Sequence, residues 1–587
     1  AEHRLYQTPF RPTNMTITRD ARVIIVGSGP GGATFADVVT RAGWDCIVLE
    51  KGRNHLIDES PPYEPRYDFS NDELKFVYRY FLGPDPILEP RTFRRSPADG
   101  DRLFTGEVNN LPSTVGGGGV HADGKLPRFR EVDFRLRSTY GPIEGASVED
   151  WPITYDDLEP YYCEVEYAIG VAGDHRANPF ASWRSMPYPM PPGPGMFGAT
   201  ISTEAAERLG LHPYPAPTGA NSVPYDGRPA CNNCGFCGFY GCPIHAKGDP
   251  IAMLSRALRT GRCQLRAQAY VTDILVDRTG RAVTGVRVLN TRDNSVSELH
   301  SDYVVLACGA FETPRLLLRS GIANSSGLVG RNLMFHLQTL TVGVFSFPLH
   351  GERGRDVTHL HDDHLDPTDD DLAAAREHGL PWIRGGVVEH GSAAGPVMEA
   401  KTYPHGPLHN RAMLDSATRA RLWVFTMQGE DLPQPTNCVD LDPRVRDAWG
   451  VPSGRVTYRP HRHELVASRH FSTILERVMT EAGAEWAFTT TSPPTGERED
   501  LIHANPLGIA PASRHIMGTC RMGADPATSV VGPESRFHDF ENLLCADSSV
   551  FVTSAGYGPT LTLAALSARA AHLLTGTPLP PTKPMAP

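Results

Sequence analysis

The chain has 587 residues, of which 40% are hydrophobic and 21% charged, and its formal net charge at pH 7 is −11. This length suffices for two or three hydrophobic cores, and the apolar content excludes a generally disordered chain. The acidic balance argues against a nucleic-acid partner bound through a basic surface. No uninterrupted apolar run reaches the ~18 residues that a membrane-spanning helix needs.

The N-terminal residues give no sign of a targeting signal. Residues 1–14 are polar and lack the apolar stretch of a secretory signal peptide. The possibility that a leader or tag has been removed stays open, because the chain does not begin with Met. The sequence leaves the compartment undetermined, with the cytoplasm favoured.

A buried strand, a glycine turn, a helix and a second strand follow one another between residues 21 and 50. The turn carries Gly27, Gly29 and Gly32 in the pattern G-x-G-x-x-G, and Glu50 closes the second strand. The first glycine allows a tight turn, the second lets phosphate approach the backbone, and the third lets the helix pack on the strand. The carboxylate suits the hydroxyls of a ribose and disfavours a 2′-phosphate. The segment therefore predicts a site for FAD or NAD.

A second glycine run occurs in TVGGGGVHADGKLPRF, residues 114–129. Backbone without side chains can pass close to a flat ring or a phosphate, which makes Gly116, Gly117 and Gly118 candidate cofactor contacts. His121 follows the run as a further candidate. A flexible linker with a stray histidine is the other interpretation, but the continuation KLPRFREVDF is not typical of a disordered linker.

Four cysteines lie close together within residues 226–250. Cys231, Cys234, Cys237 and Cys242 have the spacing C-x2-C-x2-C-x4-C. Three or four thiolates so close in sequence suit an iron–sulfur cluster, and four also suit zinc. Two local disulfides are the third interpretation, which depends on the redox state of the compartment.

The N-terminal motif and two later segments together resemble a known family. Residues 21–52, 114–168 and 505–576 resemble the glucose–methanol–choline (GMC) flavoprotein oxidoreductases, in a branch near bacterial sugar and gluconate dehydrogenases and pyranose oxidase. The fold implied is α/β: an FAD-binding Rossmann-like domain with an inserted α+β substrate domain built on an antiparallel sheet. The resemblance assigns residues 15–60, 95–135, 225–334 and 506–580 to the FAD domain, and 61–94, 136–224 and 335–505 to the substrate domain.

The resemblance also implies a reaction and its residues. His515, in ASRHIMGTCRMGADP, matches the catalytic histidine of the family. A neutral imidazole beside a flavin can take the proton of an alcohol while hydride passes to flavin N5. The substrate implied is a CH–OH group of a sugar, glycoside or polyol, and the electrons pass to an external acceptor or O₂. His121 matches the histidine that carries covalent flavin in pyranose oxidase. The other FAD contacts implied are Val271, Asp547, Pro559 and Thr560.

One position departs from the family pattern. Gly558 stands where the family has His or Asn as its second catalytic residue, and Tyr557 is a candidate substitute. The departure leaves open a flavin-binding lyase or isomerase without net oxidation. His336, in VGRNLMFH, is interpreted as structural.

The cysteine loop also has a counterpart by resemblance. It resembles that of flavin dehydrogenases that pass electrons through a [3Fe-4S] cluster to a haem subunit. This implies a second alternative, the flavoprotein subunit of an electron-transfer complex, with a small or haem subunit as partner.

Overall fold

The computed structural model describes residues 19–65, 85–106, 108, 111–351, 353–392, 406–414, 416, 420–492 and 513–579. The described strands are, in chain order, β1 (Ala21–Val26), β2 (Cys46–Leu49), β3 (Arg91–Arg94), β4 (Phe104–Gly106), β5 (Tyr214–Pro215), β6 (Cys263–Arg266), β7 (Ala269–Val276), β8 (Val283–Asn290), β9 (Val296–Leu306), β10 (Leu337–Phe345), β11 (Val357–His361), β12 (Val388–Ser392), β13 (Leu422–Gly429), β14 (Cys438–Arg446), β15 (Pro452–Thr457), β16 (Ala484–Ser492) and β17 (Leu543–Cys545). The described α-helices are α1 (Pro30–Arg41), α2 (Leu136–Tyr140), α3 (Tyr155–Ile169), α4 (Phe197–Arg208), α5 (Cys237–Tyr240), α6 (Pro250–Arg259), α7 (Gly309–Ser320), α8 (Asp369–Glu377), α9 (Pro407–Leu414), α10 (Arg462–Glu481) and α11 (Thr560–Thr575).

The first sheet is built around the N-terminal motif. Five strands run parallel in the order β6–β2–β1–β9–β17, and β9 also pairs antiparallel with β8, which pairs with β7. Strands β1 and β2 read ARVIIV and CIVL because both faces of a parallel sheet are covered by other elements. Helix α1 packs against α6 and α11. This topology places the glycine turn, the end of β2 and the end of β17 at one edge.

The second sheet is antiparallel, with six strands in the order β16–β10–β13–β12–β11–β5. Burial alternates strictly along β10, as expected for a strand with one face in a core. One face carries Trp423, Phe425 and Met427 into a core cluster shared with α10. The opposite face carries Gln338 and Gln428 toward the cavity described below.

A smaller third sheet joins two distant parts of the chain. Its order is β14–β15–β3–β4, with β3 parallel to β15. Phe93 and Val456 from this sheet pack with Phe311 of α7 in a separate core cluster. The predicted α/β fold with an antiparallel sheet is confirmed. The edge strand β5 of that sheet lies outside residues 335–505, the range in which the sheet was expected. None of the helices in the described ranges has the length and apolar character to span a membrane.

Candidate active site

A cavity of about 1090 Å³ lies between the first sheet and the antiparallel sheet. It extends from the N-terminal glycine turn to His515. The predicted site residues that line it are Gly27, Gly29, Glu50, Gly117, Gly118, His121, Cys234, Val271, His515, Asp547, Pro559 and Thr560. The predicted residues outside its lining are Gly32, Gly116, Cys231, Cys237, Cys242, Tyr557 and Gly558.

The glycine turn at the end of β1 leaves no space for side chains on its protein side. Gly27 has φ +103°, and a Cβ there would lie 2.3 Å from the carbonyl oxygen of Ala307. A Cβ on Gly32 would lie 2.0 Å from the carbonyl oxygen of Gly27, so α1 packs directly on the turn. By contrast, a Cβ on Gly29 would have no neighbour within 4 Å. Gly29 therefore faces open cavity at the N-terminus of α1, where a phosphate would bind.

Glu50 is held in place at the end of β2. The Ser28 hydroxyl donates to its Oε2 at 2.6 Å, and the Gly52 N–H donates to its Oε1 at 2.8 Å. Burial raises the pKa of the carboxyl group. The side chain is fixed at the cavity wall, where a ribose would be bound.

The second glycine run contacts the first. Residues Gly117–Val120 form a short 3₁₀ turn after Gly116, which has φ +87° and donates its N–H to the Ser28 hydroxyl at 3.0 Å. A Cβ on Gly117 would lie 3.1 Å from the Cα atom of Gly29. The two glycine segments therefore form one continuous backbone surface, which leads to the buried His121.

The C-terminal segment supplies an acid and a helix start. Asp547 accepts the N–H of Gly309 at 3.0 Å and the hydroxyl of Thr313 at 2.6 Å, which ties β17 to α7. Pro559 is the N-cap of α11, and Thr560 is its first residue. The free N–H groups and positive dipole end of this helix are thus at the cavity, where they favour negative charge.

His515 lies at the cavity beside Gly558. A Cβ at position 558 would be 3.9 Å from both Nε2 and Cε1 of the imidazole. Burial lowers the pKa of His515 well below its usual range, and His336, Lys125 and Arg514 lower it further. The imidazole is therefore neutral at pH 7 and can accept a proton.

His336, which the sequence analysis interprets as structural, contacts this imidazole directly. Its Nδ1 atom lies 2.8 Å from Nδ1 of His515, and its Nε2 atom lies 3.2 Å from the carbonyl oxygen of Ser554. The ring is fully buried, and burial lowers its pKa to about 4. The sequence carried no signal for this contact, because the two histidines are 179 residues apart.

Tyr557 does not stand in for the missing residue at position 558. Its hydroxyl donates to Oδ2 of Asp362 at 2.6 Å, and its ring lines a separate cavity of about 50 Å³. Gly558, the next residue, lies beside His515, whereas the Tyr557 side chain is directed to Asp362. The structure therefore does not bring the predicted Tyr557 hydroxyl to the cavity that holds His515.

A polar group missed by the sequence analysis covers the cavity near His515. Lys125 Nζ lies 2.8 Å from Asp123 Oδ2 and 2.5 Å from Glu389 Oε2. Gln428 donates to Glu389 at 3.1 Å and accepts from Gln338 at 3.2 Å. These residues come from three strands and a loop, and only the sheet register brings them together.

The cysteine loop reaches the cavity through Cys234. All eleven cysteines are unpaired thiols, so neither predicted local disulfide forms. Among the residues with a described placement, no group of three or more Cys, His, Asp or Glu is arranged to hold a metal ion. The predicted iron–sulfur or zinc site therefore finds no support.

The dinucleotide-type turn, the flanking antiparallel sheet and the neutral histidine define a flavin-type oxidoreductase. Residues 151–338 and 433–567 match the two family models described as GMC oxidoreductase, and the chain belongs to this family. It is accordingly a flavin-dependent oxidoreductase acting on CH–OH donors.

Characterised relatives cover nearly the whole chain. The present chain is 31% identical to the 2-methyl-1,2-propanediol dehydrogenase of Mycolicibacterium austroafricanum, over 96% of each chain. It is 29% identical to the fructose dehydrogenase large subunit of Gluconobacter japonicus, over 96% of this chain and 98% of that one. A solved structure of Aspergillus oryzae formate oxidase, determined to study its FAD modification, matches the fold. Its TM-score is 0.65 and its identity 14%, over 95% of this chain and 99% of that one.

Proposed function

We propose that the protein oxidises a CH–OH group of a sugar, glycoside or polyol-like substrate with FAD, and that His515 is the base. The observation that carries this proposal is that the neutral imidazole opens into the same cavity as the glycine turn. The relatives named above act on a diol and on fructose, which supports a polyhydroxylated substrate.

The cavity residues fit FAD along its length. The turn at Gly29 would hold the pyrophosphate, Glu50 the adenosine ribose, and Val271 the adenine side. Asp547 and the start of α11 at Pro559 and Thr560 would face the flavin end, where the helix dipole favours the charge of the reduced ring. Bound FAD supplies the hydride acceptor, and the protein has to orient the alcohol and remove its proton.

We further propose that His121 forms the covalent bond to the flavin. The imidazole is buried at the end of the glycine run and lines the cavity. This position is separate from that of His515, so the two histidines serve different functions. Attachment would fix the ring relative to His515.

Substrate recognition is assigned to the polar group above His515. Glu389 and Gln428 present a carboxylate and an amide, and Lys125 neutralises part of the acidic charge. Such groups donate to and accept from hydroxyls, which suits a polyol better than a hydrocarbon alcohol. The lyase or isomerase alternative rests on Gly558, which offers no side-chain hydrogen bond to the substrate oxygen, and anaerobic reduction of the flavin by substrate separates it from oxidation.

The electron acceptor is proposed to be external to the chain. The fructose dehydrogenase relative is a large subunit, which supports a further subunit as the acceptor here. Steady-state turnover measured with an artificial dye and with O₂ as the electron acceptor distinguishes a dehydrogenase from an oxidase. Faster turnover with the dye supports a dehydrogenase, and equal or faster turnover with O₂ contradicts it.

The test of His515 is anaerobic reduction of the holoenzyme by a panel of sugars and polyols. The His515→Ala variant is expected to retain bound FAD. Its rate of flavin reduction should fall by ~10²–10⁴-fold, the usual contribution of a general base. His212→Ala is a matched control, because this histidine is exposed and paired with Asp363. An unchanged reduction rate in His515→Ala would refute the assignment.

A further inference from the structure

A continuous chain of two hydrogen bonds leads from the backbone to His515. The Ser554 carbonyl oxygen lies 3.2 Å from Nε2 of His336, and Nδ1 of His336 lies 2.8 Å from Nδ1 of His515. The contact from His336 is to Nδ1 of His515, whereas the Cβ position of Gly558 faces Nε2 and Cε1. The chain of hydrogen bonds therefore ends on Nδ1 and leaves Nε2 on the edge next to Gly558.

The carbonyl determines where each proton lies. A carbonyl oxygen only accepts, so Nε2 of His336 must carry a hydrogen. In the neutral ring, Nδ1 of His336 is then an acceptor, and it takes the Nδ1–H of His515. The remaining nitrogen of His515, Nε2, is left with a free lone pair. The reverse arrangement would place a lone pair of His336 against the carbonyl oxygen at 3.2 Å, which is repulsive.

The carbonyl itself is held by a buried network. The Ser554 hydroxyl donates to Glu430 Oε1 at 2.9 Å and accepts the N–H of Asp431 at 2.8 Å. Glu430 is paired in turn with the buried Arg384 at 2.6 Å. Because these partners are buried and bonded to one another, the carbonyl acceptor is held in place. Gln428 is a further hydrogen-bond partner of His336.

We propose that His336 is a positioning residue that holds His515 in the tautomer with a free Nε2, the nitrogen that takes the substrate proton. The inference rests on the proposed function. In the step itself, the substrate O–H bond breaks and an Nε2–H bond forms on His515. The adjacent C–H bond breaks, its hydride passes to the FAD that the proposed function requires, and the alcohol carbon becomes a carbonyl carbon. The Nδ1–H bond to His336 persists and becomes charge-assisted, which stabilises the imidazolium.

The test compares two substitutions in the holoenzyme by anaerobic stopped-flow flavin reduction, with the member of the sugar and polyol panel that reduces the unsubstituted enzyme fastest as the substrate. His336→Asn places an amide oxygen close to the former Nδ1 and keeps an acceptor for His515. His336→Leu has a similar size and no acceptor. We expect the maximal reduction rate of His336→Leu to fall ~100-fold or more, with substrate Kd changed less than threefold. His336→Asn should recover to within tenfold of the unsubstituted enzyme.

Two outcomes would overturn the inference. One is an unchanged rate in His336→Leu. The other is an equal loss in both variants, which shows that a hydrogen-bond acceptor at the former Nδ1 position does not restore the rate. A measurement on the unsubstituted holoenzyme covers the case in which a variant does not fold. Histidine ¹⁵N resonances, assigned with His515→Ala, should show hydrogen on Nδ1 and a bare Nε2 in His515, and the reverse tautomer would refute the proposal.

The two proposals fail in different ways. If no CH–OH compound reduces the unsubstituted enzyme, the proposed function is refuted, and the ¹⁵N tautomer still decides the inference about His336.

Discussion

Gly558 leaves one edge of His515 uncovered, since a Cβ at position 558 would only just reach van der Waals contact with Nε2 at 3.9 Å. The φ angle of Gly558 is not in the left-handed region, so side chains are compatible with the backbone. The position is therefore a place where a polar group can be added next to the base.

Gly558→Asn is expected to increase the reduction rate for a small diol by about tenfold, the effect of one added hydrogen bond of ~1.4 kcal/mol to the substrate oxygen. The amide also takes up cavity volume, so larger sugars should gain less or lose. Gly558→Ala is the control and should change neither the rate nor Tm appreciably. A drop in rate for every substrate in both variants would show that position 558 has to be empty.

The pH dependence of flavin reduction follows from the pKa of His515. Burial lowers this pKa well below 6.5, so the basic form predominates at neutral pH. The rate should be level from about pH 8 to pH 6.5 and fall only as the pH drops through the lowered pKa. An acid limb centred above pH 7 would contradict a buried neutral base.

A second group in the cavity titrates within the pH range of this measurement and needs a control. Burial raises the pKa of Asp356 to about 6. In Asp356→Asn this carboxyl no longer titrates, so the acid limb that remains in the variant belongs to His515. An acid limb lost in Asp356→Asn would assign it to the carboxyl group instead.

Gly29 and Gly32 should respond differently to the same added methyl group. A Cβ on Gly29 meets nothing within 4 Å of protein, so Gly29→Ala should leave Tm of the apoprotein unchanged and weaken FAD binding at least tenfold. A Cβ on Gly32 would lie 2.0 Å from the Gly27 carbonyl, so Gly32→Ala should lower Tm of the apoprotein itself. Titration of each apoprotein with FAD, followed by thermal unfolding, measures both effects. Unchanged FAD affinity in Gly29→Ala would contradict binding of the FAD phosphates at this turn.

Covalent attachment at His121 predicts a specific behaviour under denaturation. Acid-precipitated holoenzyme should stay yellow, and His121→Ala should release its flavin into the supernatant while still binding it before precipitation. His572→Ala is a comparison variant, because this histidine pairs with Glu164 at 2.9 Å outside the cavity. Complete release of flavin from the unsubstituted enzyme would refute the bond.

The sequence by itself determined the parts of the site that are local in the chain. The turn with Gly27, Gly29 and Gly32, the acid Glu50 at the end of β2 and the helix start at Thr560 are all present in the structure. Such patterns can be read because steric and hydrogen-bonding limits act between residues a few positions apart. The family resemblance then supplied the α/β fold and the oxidoreductase class.

Only the tertiary structure decided which side chains meet around the base. His336 reaches His515 across 179 residues, Tyr557 points to Asp362 instead, and the polar group with Lys125 and Glu389 spans several elements. Each of these contacts depends on side-chain direction and on how segments that are distant in the sequence meet in the fold. No local pattern encodes that choice, because packing of the whole core sets it.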